Sequence, residues 1–99
     1  MSRQIERKPT HPGAVLREDV LPETGLSVSE MARRLRISRQ SLHRILAEEQ
    51  PMTPATALKL AKLLNTSPEV WLNMQRALDL WNEQRHLADE LDHIEPIAA

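Results

Sequence analysis

One stretch of the chain concentrates positively charged side chains. Residues 33–44, RRLRISRQSLHR, contain five arginines, one histidine and no acidic residue, although the whole chain has a formal net charge of −1. Guanidinium groups bind phosphates, and arginine and glutamine form paired hydrogen bonds with the edges of guanine and adenine. These residue types in this spacing point to contact with duplex DNA.

We expect the helix that follows Ser38 to lie in the major groove, since an α-helix fits there and its first turn reaches the base edges. Its outer face supplies four candidates for reading bases: Arg39, Gln40, His43 and Arg44. Five further residues are candidates for binding phosphates: Arg33, Arg34, Arg36, Ser38 and Ser41. Another interpretation stays open, because a charged outer face is normal in any small helical bundle and His43 is as readily explained by solvation.

Small and apolar residues around this stretch have the spacing of a helix-turn-helix. Two helices that meet at a steep angle need a small residue at their close approach, and Ala32 provides it. Ile37 follows the turn and fills the wedge, while Leu42 and Ile45 anchor the second helix to the core. Burial of that inner face leaves the opposite polar face free for a DNA groove.

Arg36 occupies the turn, where glycine is the usual choice because a left-handed backbone costs other residues about 1 kcal/mol. We expect Arg36 to accept that strain and to offset it by contact with a phosphate. The alternative is a different turn that has no strain.

The chain is predicted to be all-α, because short β-branched runs of period two are missing. The fold class that follows is a five-helix repressor-like helix-turn-helix domain with an extended C-terminal helix. Pro22 and Gly25 are expected to end the first helix. Proline and N-cap signals mark the helix starts: Pro12, Ser27 with Glu30, Ser38, Thr53 with Pro54, and Ser67 with Pro68.

The last helix carries two apolar stripes, whereas a helix wetted on one side needs one. The first stripe contains Trp71, Met74, Leu78 and Trp81 and is expected to pack on the other helices. The second stripe either frays into solvent or meets a second copy of the chain. The candidate dimer-interface residues are Trp81, Leu80, Leu87, Leu91 and Ile94.

Composition argues against several classes of protein. The 99 residues suggest one domain, and the lack of cysteine removes disulfide and thiolate-metal sites. Two tryptophans and no phenylalanine or tyrosine count against a single-strand binder built on base stacking. With no nucleophile motif, glycine-rich loop, signal peptide or apolar span, we expect no enzymatic activity, cofactor, metal or membrane partner, and a cytoplasmic location.

Three segments resemble the HigA antitoxins, a branch of the Xre/Cro-type helix-turn-helix family: HPGAVLREDVL, LSVSEMARRLRISRQSLHRIL and MTPATALKLAKLLNTSPEVWLNMQRALDLW. The resemblance runs from about His11 to Trp81. It implies a dimeric DNA-binding protein that binds a palindromic operator, represses its own operon and blocks a HigB-type toxin, a RelE-like mRNA-cleaving ribonuclease.

Two features depart from the family pattern. Arg36 replaces the usual turn glycine, and Ala47–Gln50 replaces a loop that is commonly Asn-Gly-basic. Glu48 and Glu49 are expected to repel DNA there.

The predicted organisation is a flexible arm over residues 1–10, a DNA-binding domain over 11–81, and a C-terminal extension and tail over 82–99. The arm and the acidic tail, residues 79–95, are both candidates for binding the toxin. Two other functions stay open: a stand-alone Xre-type repressor, and a protein-interaction module with weak DNA binding.

Overall fold

The computed structural model describes residues 7–98, and the part of the predicted arm over residues 1–6 lies outside them. Within this range the chain is helical, and it contains no strand. The α-helices are α1 (Pro12–Val15), α2 (Leu21–Thr24), α3 (Val28–Leu35), α4 (Arg39–Leu46), α5 (Pro54–Leu64), α6 (Pro68–His86) and α7 (Ala88–Asp92). A π-helical turn, Leu16–Val20, joins α1 to α2 without a break. The predicted all-α helix-turn-helix fold is confirmed.

The first predicted helix is this continuous run from Pro12 to Thr24. Gly25 ends it, as predicted, and has the left-handed conformation, at φ 70°. Pro22 was expected to help end the helix and does not, since it lies inside α2. Proline normally clashes with the carbonyl four residues earlier. Directly before Pro22 the hydrogen bonding is π-helical, since the Leu21 amide donates to the Leu16 carbonyl five residues back instead of four.

Side-chain caps fix the helix starts as the sequence indicates. Ser27 and Glu30 form a reciprocal capping box at α3. Ser38 caps α4 by accepting a hydrogen bond from the Ser41 amide at 2.9 Å. Thr53 caps α5 in the same way. These bonds satisfy amides that have no partner within the helix.

The core lies where α3, α4 and α5 meet the first helical run and the start of α6. The largest of its fully buried side chains include Leu16, Met31, Leu35, Leu42, Ile45 and Leu60. Trp71 and Leu78 of the first predicted stripe are buried, while Met74 and Trp81 are half-buried. The stripe therefore packs inward as expected.

The last predicted helix is interrupted at Leu87, and Ile94 lies beyond the end of α7. The break places Arg85 and His86 in the last turn of α6 and Asp89 and Glu90 in the first turn of α7. Both placements suit the helix dipole, which favours cations at the C-terminus and acids at the N-terminus. No residue from Asp79 to Ala98 is buried. No helix within residues 7–98 is long and apolar enough to cross a membrane.

Candidate nucleic-acid interface

Helix α4 presents its polar face to solvent. All four predicted base-reading residues are exposed: Arg39, Gln40, His43 and Arg44. Leu42 and Ile45, on the opposite face, are completely buried. The structure thus separates a core-facing side of α4 from a free polar side, which is the division that a groove-binding helix needs.

The arginines of this region form no ion pair with a carboxylate of residues 7–98. Within residues 7–98, the two ion pairs both belong to Arg17, which contacts Glu18 and Glu48. None of the five arginines between residues 33 and 44 forms an ion pair in this part of the chain, and all five are exposed. Their charge is therefore available to an anionic partner.

The predicted phosphate-binding serines differ in exposure. Ser38 is exposed, and its hydroxyl oxygen accepts the Ser41 amide bond that caps α4. Ser41 is half-buried, and its hydroxyl oxygen accepts a hydrogen bond from Gln50 Nε2 at 3.0 Å. Each hydroxyl keeps its own proton to donate, so both remain able to bind a phosphate oxygen.

Arg36 has the left-handed backbone that was predicted, with φ 59° and ψ 42°. Its amide donates to the Arg33 carbonyl, and the Ile37 amide donates to the Ala32 carbonyl, each at 3.1 Å. This pair of bonds is the Schellman motif that closes a helix. The Arg36 carbonyl accepts a hydrogen bond from Lys59 Nζ at 3.2 Å. The strained turn is confirmed, and its contact with a phosphate stays a prediction.

The same motif ends α4, with Glu48 in the left-handed position at φ 64°. The Glu48 amide donates to the Ile45 carbonyl at 3.0 Å, and the Glu49 amide donates to the Arg44 carbonyl at 2.8 Å. The Glu48 carboxylate accepts a hydrogen bond from Arg17 Nη1 at 3.3 Å. Arg17 therefore offsets part of the negative charge that was expected to repel DNA.

His11 has a structural role that was not predicted from the sequence. It is buried at the N-cap of α1, where its Nδ1 accepts a hydrogen bond from the Gly13 amide at 2.8 Å. Burial lowers the pKa of His11, and this outweighs the opposing effects of Glu48, of a hydrogen bond with the Gln50 backbone and of Asp79. The N-cap position before Pro12 was the available signal.

Gln75 is a second polar residue whose burial was not predicted from the sequence. Its Oε1 accepts a hydrogen bond from the Met52 amide at 2.8 Å, and its Nε2 donates to Asp79 at 2.9 Å. Gln75 thus ties the loop after α4 to α6. It lies four residues after Trp71 on the buried stripe, and that position was the signal for its burial.

The candidate dimer stripe is exposed over most of its length. Leu80, Leu91 and Ile94 are 57%, 46% and 66% exposed, and Leu87 is half-buried. Trp81 is half-buried, with the Arg85 guanidinium 3.9 Å from its ring centroid and Lys8 Nζ 5.8 Å away. The apolar side chains of this stripe thus lie on the surface of the single chain.

Comparison with known proteins places this geometry in a family. The helix-turn-helix family HTH_3 matches residues 16–71. YbaQ of Escherichia coli K12, named as an uncharacterized HTH-type transcriptional regulator, is 35% identical over 98 residues, which cover 97% of this chain and 87% of YbaQ.

Two solved antitoxins have the same fold. Antitoxin GraA in complex with its operator matches with a TM-score of 0.87 at 33% identity, covering 99% of this chain and 100% of GraA. The Pseudomonas aeruginosa antitoxin HigA, solved with the higBA promoter, matches with a TM-score of 0.84 at 30% identity, covering 91% of this chain and 99% of that one. The chain belongs to the helix-turn-helix family of Xre-like DNA-binding proteins that includes the HigA antitoxins.

Proposed function

We propose that this protein is an autorepressing antitoxin. As a homodimer it binds a palindromic operator in duplex DNA upstream of its own operon, and it neutralises a HigB-type, RelE-like toxin by direct binding. One observation carries the DNA-binding part of the proposal. The four predicted base-reading side chains of α4 are exposed, and the arginines around them form no ion pair within residues 7–98.

The proposed roles divide by position. Side chains on the outer face of α4 read bases: Arg39, Gln40, His43 and Arg44. Side chains of α3, the turn and the first turn of α4 bind the backbone: Arg33, Arg34, Arg36, Ser38 and Ser41. Two copies would place two recognition helices about 34 Å apart, on successive major grooves of one face of the duplex.

The antitoxin part of the proposal is supported by the solved antitoxins HigA and GraA, whose fold and length this chain shares. The stand-alone repressor is a second candidate, because YbaQ, similar over almost the whole chain, bears the name of a transcriptional regulator.

The DNA-binding proposal is tested by fluorescence anisotropy with a duplex from upstream of the gene and a scrambled duplex of equal length. We expect affinity for the upstream duplex to exceed that for the scrambled one by at least about a thousandfold. Arg39→Ala combined with Gln40→Ala should remove this preference while the thermal unfolding midpoint stays near that of the wild type. Equal affinity of the wild type for both duplexes would favour the protein-interaction module.

The antitoxin proposal needs a separate test, which is co-expression with the product of the reading frame beside the gene. We expect the two proteins to co-purify and growth arrest by the neighbour to be relieved. The Arg39→Ala, Gln40→Ala variant serves as the control, because it should still relieve the arrest. Absence of any toxic neighbour, together with intact operator binding, would identify a stand-alone repressor.

A further inference from the structure

Arg17 connects the first helical run to the end of the recognition helix. It lies in the π turn, and its Nη1 donates to the Leu46 carbonyl oxygen at 2.6 Å and to Glu48 Oε2 at 3.3 Å. On its other side, Nε and Nη2 donate to Glu18 Oε1 at 3.3 and 3.1 Å. The guanidinium is therefore held from both sides by groups of this chain.

The end of α4 suits a cation. The last carbonyls of a helix lack partners within it, and the helix dipole places negative charge there. Leu46 is the last residue of α4, and Glu48 adds a carboxylate two residues later. Arg17 meets both groups at once, and its hydrogen bonds with Glu18 and Glu48 raise the pKa of its guanidinium.

Holding this end matters because α4 has only eight residues. The N-terminal end of the helix is fixed by the turn after α3 and by the Ser38 cap. A shift at its C-terminal end would tilt the whole helix and displace the side chains that lie along its outer face. Arg17 itself lies outside the cationic stretch of residues 33–44, so losing it removes none of the proposed DNA contacts.

We propose that Arg17 is a positioning residue for DNA recognition. It sets the direction of α4 by holding the Leu46 carbonyl, and it offsets the charge of Glu48, without touching DNA itself. This inference rests on the DNA-binding function proposed for α4.

The experiment compares Arg17→Gln, Glu48→Gln and the double variant for binding to the upstream duplex over a range of salt concentrations. We expect Arg17→Gln to lower affinity by roughly tenfold, the scale of a lost hydrogen bond to a charged group. The dependence on salt should stay close to that of the wild type, since no phosphate contact is lost. In the Glu48→Gln background the same substitution should cost less, because the carboxylate to be offset is gone.

Two further variants sharpen the result. Arg34→Gln, at a proposed phosphate contact, should flatten the salt dependence by about one unit of slope. Arg17→Lys should recover only part of the affinity, because an ammonium cannot reproduce the planar fork of the guanidinium.

Two results would overturn the inference. In the first, Arg17→Gln flattens the salt dependence of DNA binding by about one unit of slope and lowers the affinity equally in the wild-type and Glu48→Gln backgrounds. That result would make Arg17 a phosphate contact. In the second, the DNA affinity of Arg17→Gln is unchanged from that of the wild type.

If the wild type itself does not prefer the upstream duplex, the proposed DNA-binding function is wrong. Hydrogen exchange then still tests whether Arg17 holds the end of α4. The amides of Ala47, Glu48 and Glu49 should exchange faster in Arg17→Gln than in the wild type, while those of α5 should not. Equal exchange at all these amides would reject the positioning role.

Discussion

Gly13 lies directly against the backbone of Ile45, so that a β-carbon at position 13 would sit 1.8 Å from the Ile45 carbonyl oxygen. This contact packs α1 against the recognition helix at a distance that only glycine permits. The carbonyl is part of the backbone of α4, so it can move away only if the helix itself shifts.

We therefore expect Gly13→Ala to destabilise the fold by at least about 1–3 kcal/mol, as overpacking in a core does. Unfolding in urea measures the change. Gly25→Ala is the matched control: Gly25 has φ 70°, but nothing lies within 4 Å of its added β-carbon. It should cost only about 1 kcal/mol of backbone strain. If Gly13→Ala lowers the free energy of unfolding less than Gly25→Ala does, α1 and α4 can move apart at little cost in stability.

Relief of strain at Arg36 should have two opposite effects. Arg36→Gly is expected to stabilise the fold by up to about 1 kcal/mol, because glycine adopts φ 59° without cost. It should also weaken DNA binding by removing a phosphate contact. Asn65→Gly provides a control at another left-handed position, φ 54° at the end of α5, and should leave DNA affinity unchanged. If Arg36→Gly neither stabilises the fold nor weakens DNA binding, the hypothesis that a phosphate contact offsets backbone strain at Arg36 is wrong.

Base reading and phosphate binding should separate by mutation. Gln40→Ala is expected to relax sequence preference by roughly 1–3 kcal/mol at one base pair, because a side-chain amide reads one base edge. Arg33→Ala should instead weaken binding to all sequences and flatten the salt dependence by about one unit of slope. Anisotropy titrations against a panel of single-base operator variants distinguish the two. Uniform weakening by Gln40→Ala would contradict its proposed role.

Acid should destabilise the fold through His11. Its pKa in the folded state is lowered from 6.5, mainly by burial, so the folded state binds fewer protons than the unfolded state. Stability from this group is thus complete above pH 6.5 and is lost as the pH falls through the lowered pKa. Protonation at Nδ1 would also remove the acceptor for the Gly13 amide.

Thermal unfolding of the wild type and of His11→Asn from about pH 7.5 to about pH 5.5 tests this expectation, since asparagine keeps an N-cap acceptor but does not titrate. Only the wild type should lose stability steeply. The carboxyls of Glu30 and Glu69, whose pKa values are lowered below 4.5, titrate at more acidic pH and leave this range clear. Parallel losses in both proteins would exclude His11 as the cause.

If the chain dimerises through the second stripe, a charge placed on that stripe should shift the equilibrium from dimer to monomer. Leu91→Glu places a charge on that stripe and should weaken self-association by at least about tenfold, the effect of losing a buried interface residue. Leu58→Glu is the control, since Leu58 is 61% exposed on α5 and lies outside the stripe. Sedimentation velocity compares the two variants with the wild type. A Leu91→Glu variant that associates as tightly as the wild type would place the interface elsewhere.

Local signals in the sequence were sufficient for the elements of the helix-turn-helix. The Ser27–Glu30 and Ser38 caps act within three residues of themselves. The structure then chose the left-handed backbone at Arg36 over the unstrained turn that the sequence had left open. The inward residues Ala32, Leu42 and Ile45 follow from the helical repeat alone. Contacts between distant residues were not predictable in this way. Arg17 and Glu48 are 31 residues apart, and Met52 and Gln75 are 23 apart, with no pattern that links them.

By itself, the sequence determined the helical pattern, the helix-turn-helix and the cationic face of α4, because capping, periodicity and charge act over one or two helical turns. Only the tertiary structure decided that Gly13 fits against Ile45 and that Arg17 holds the end of α4. These features depend on how closely two backbones approach. That distance is set by the packing of the whole core around them.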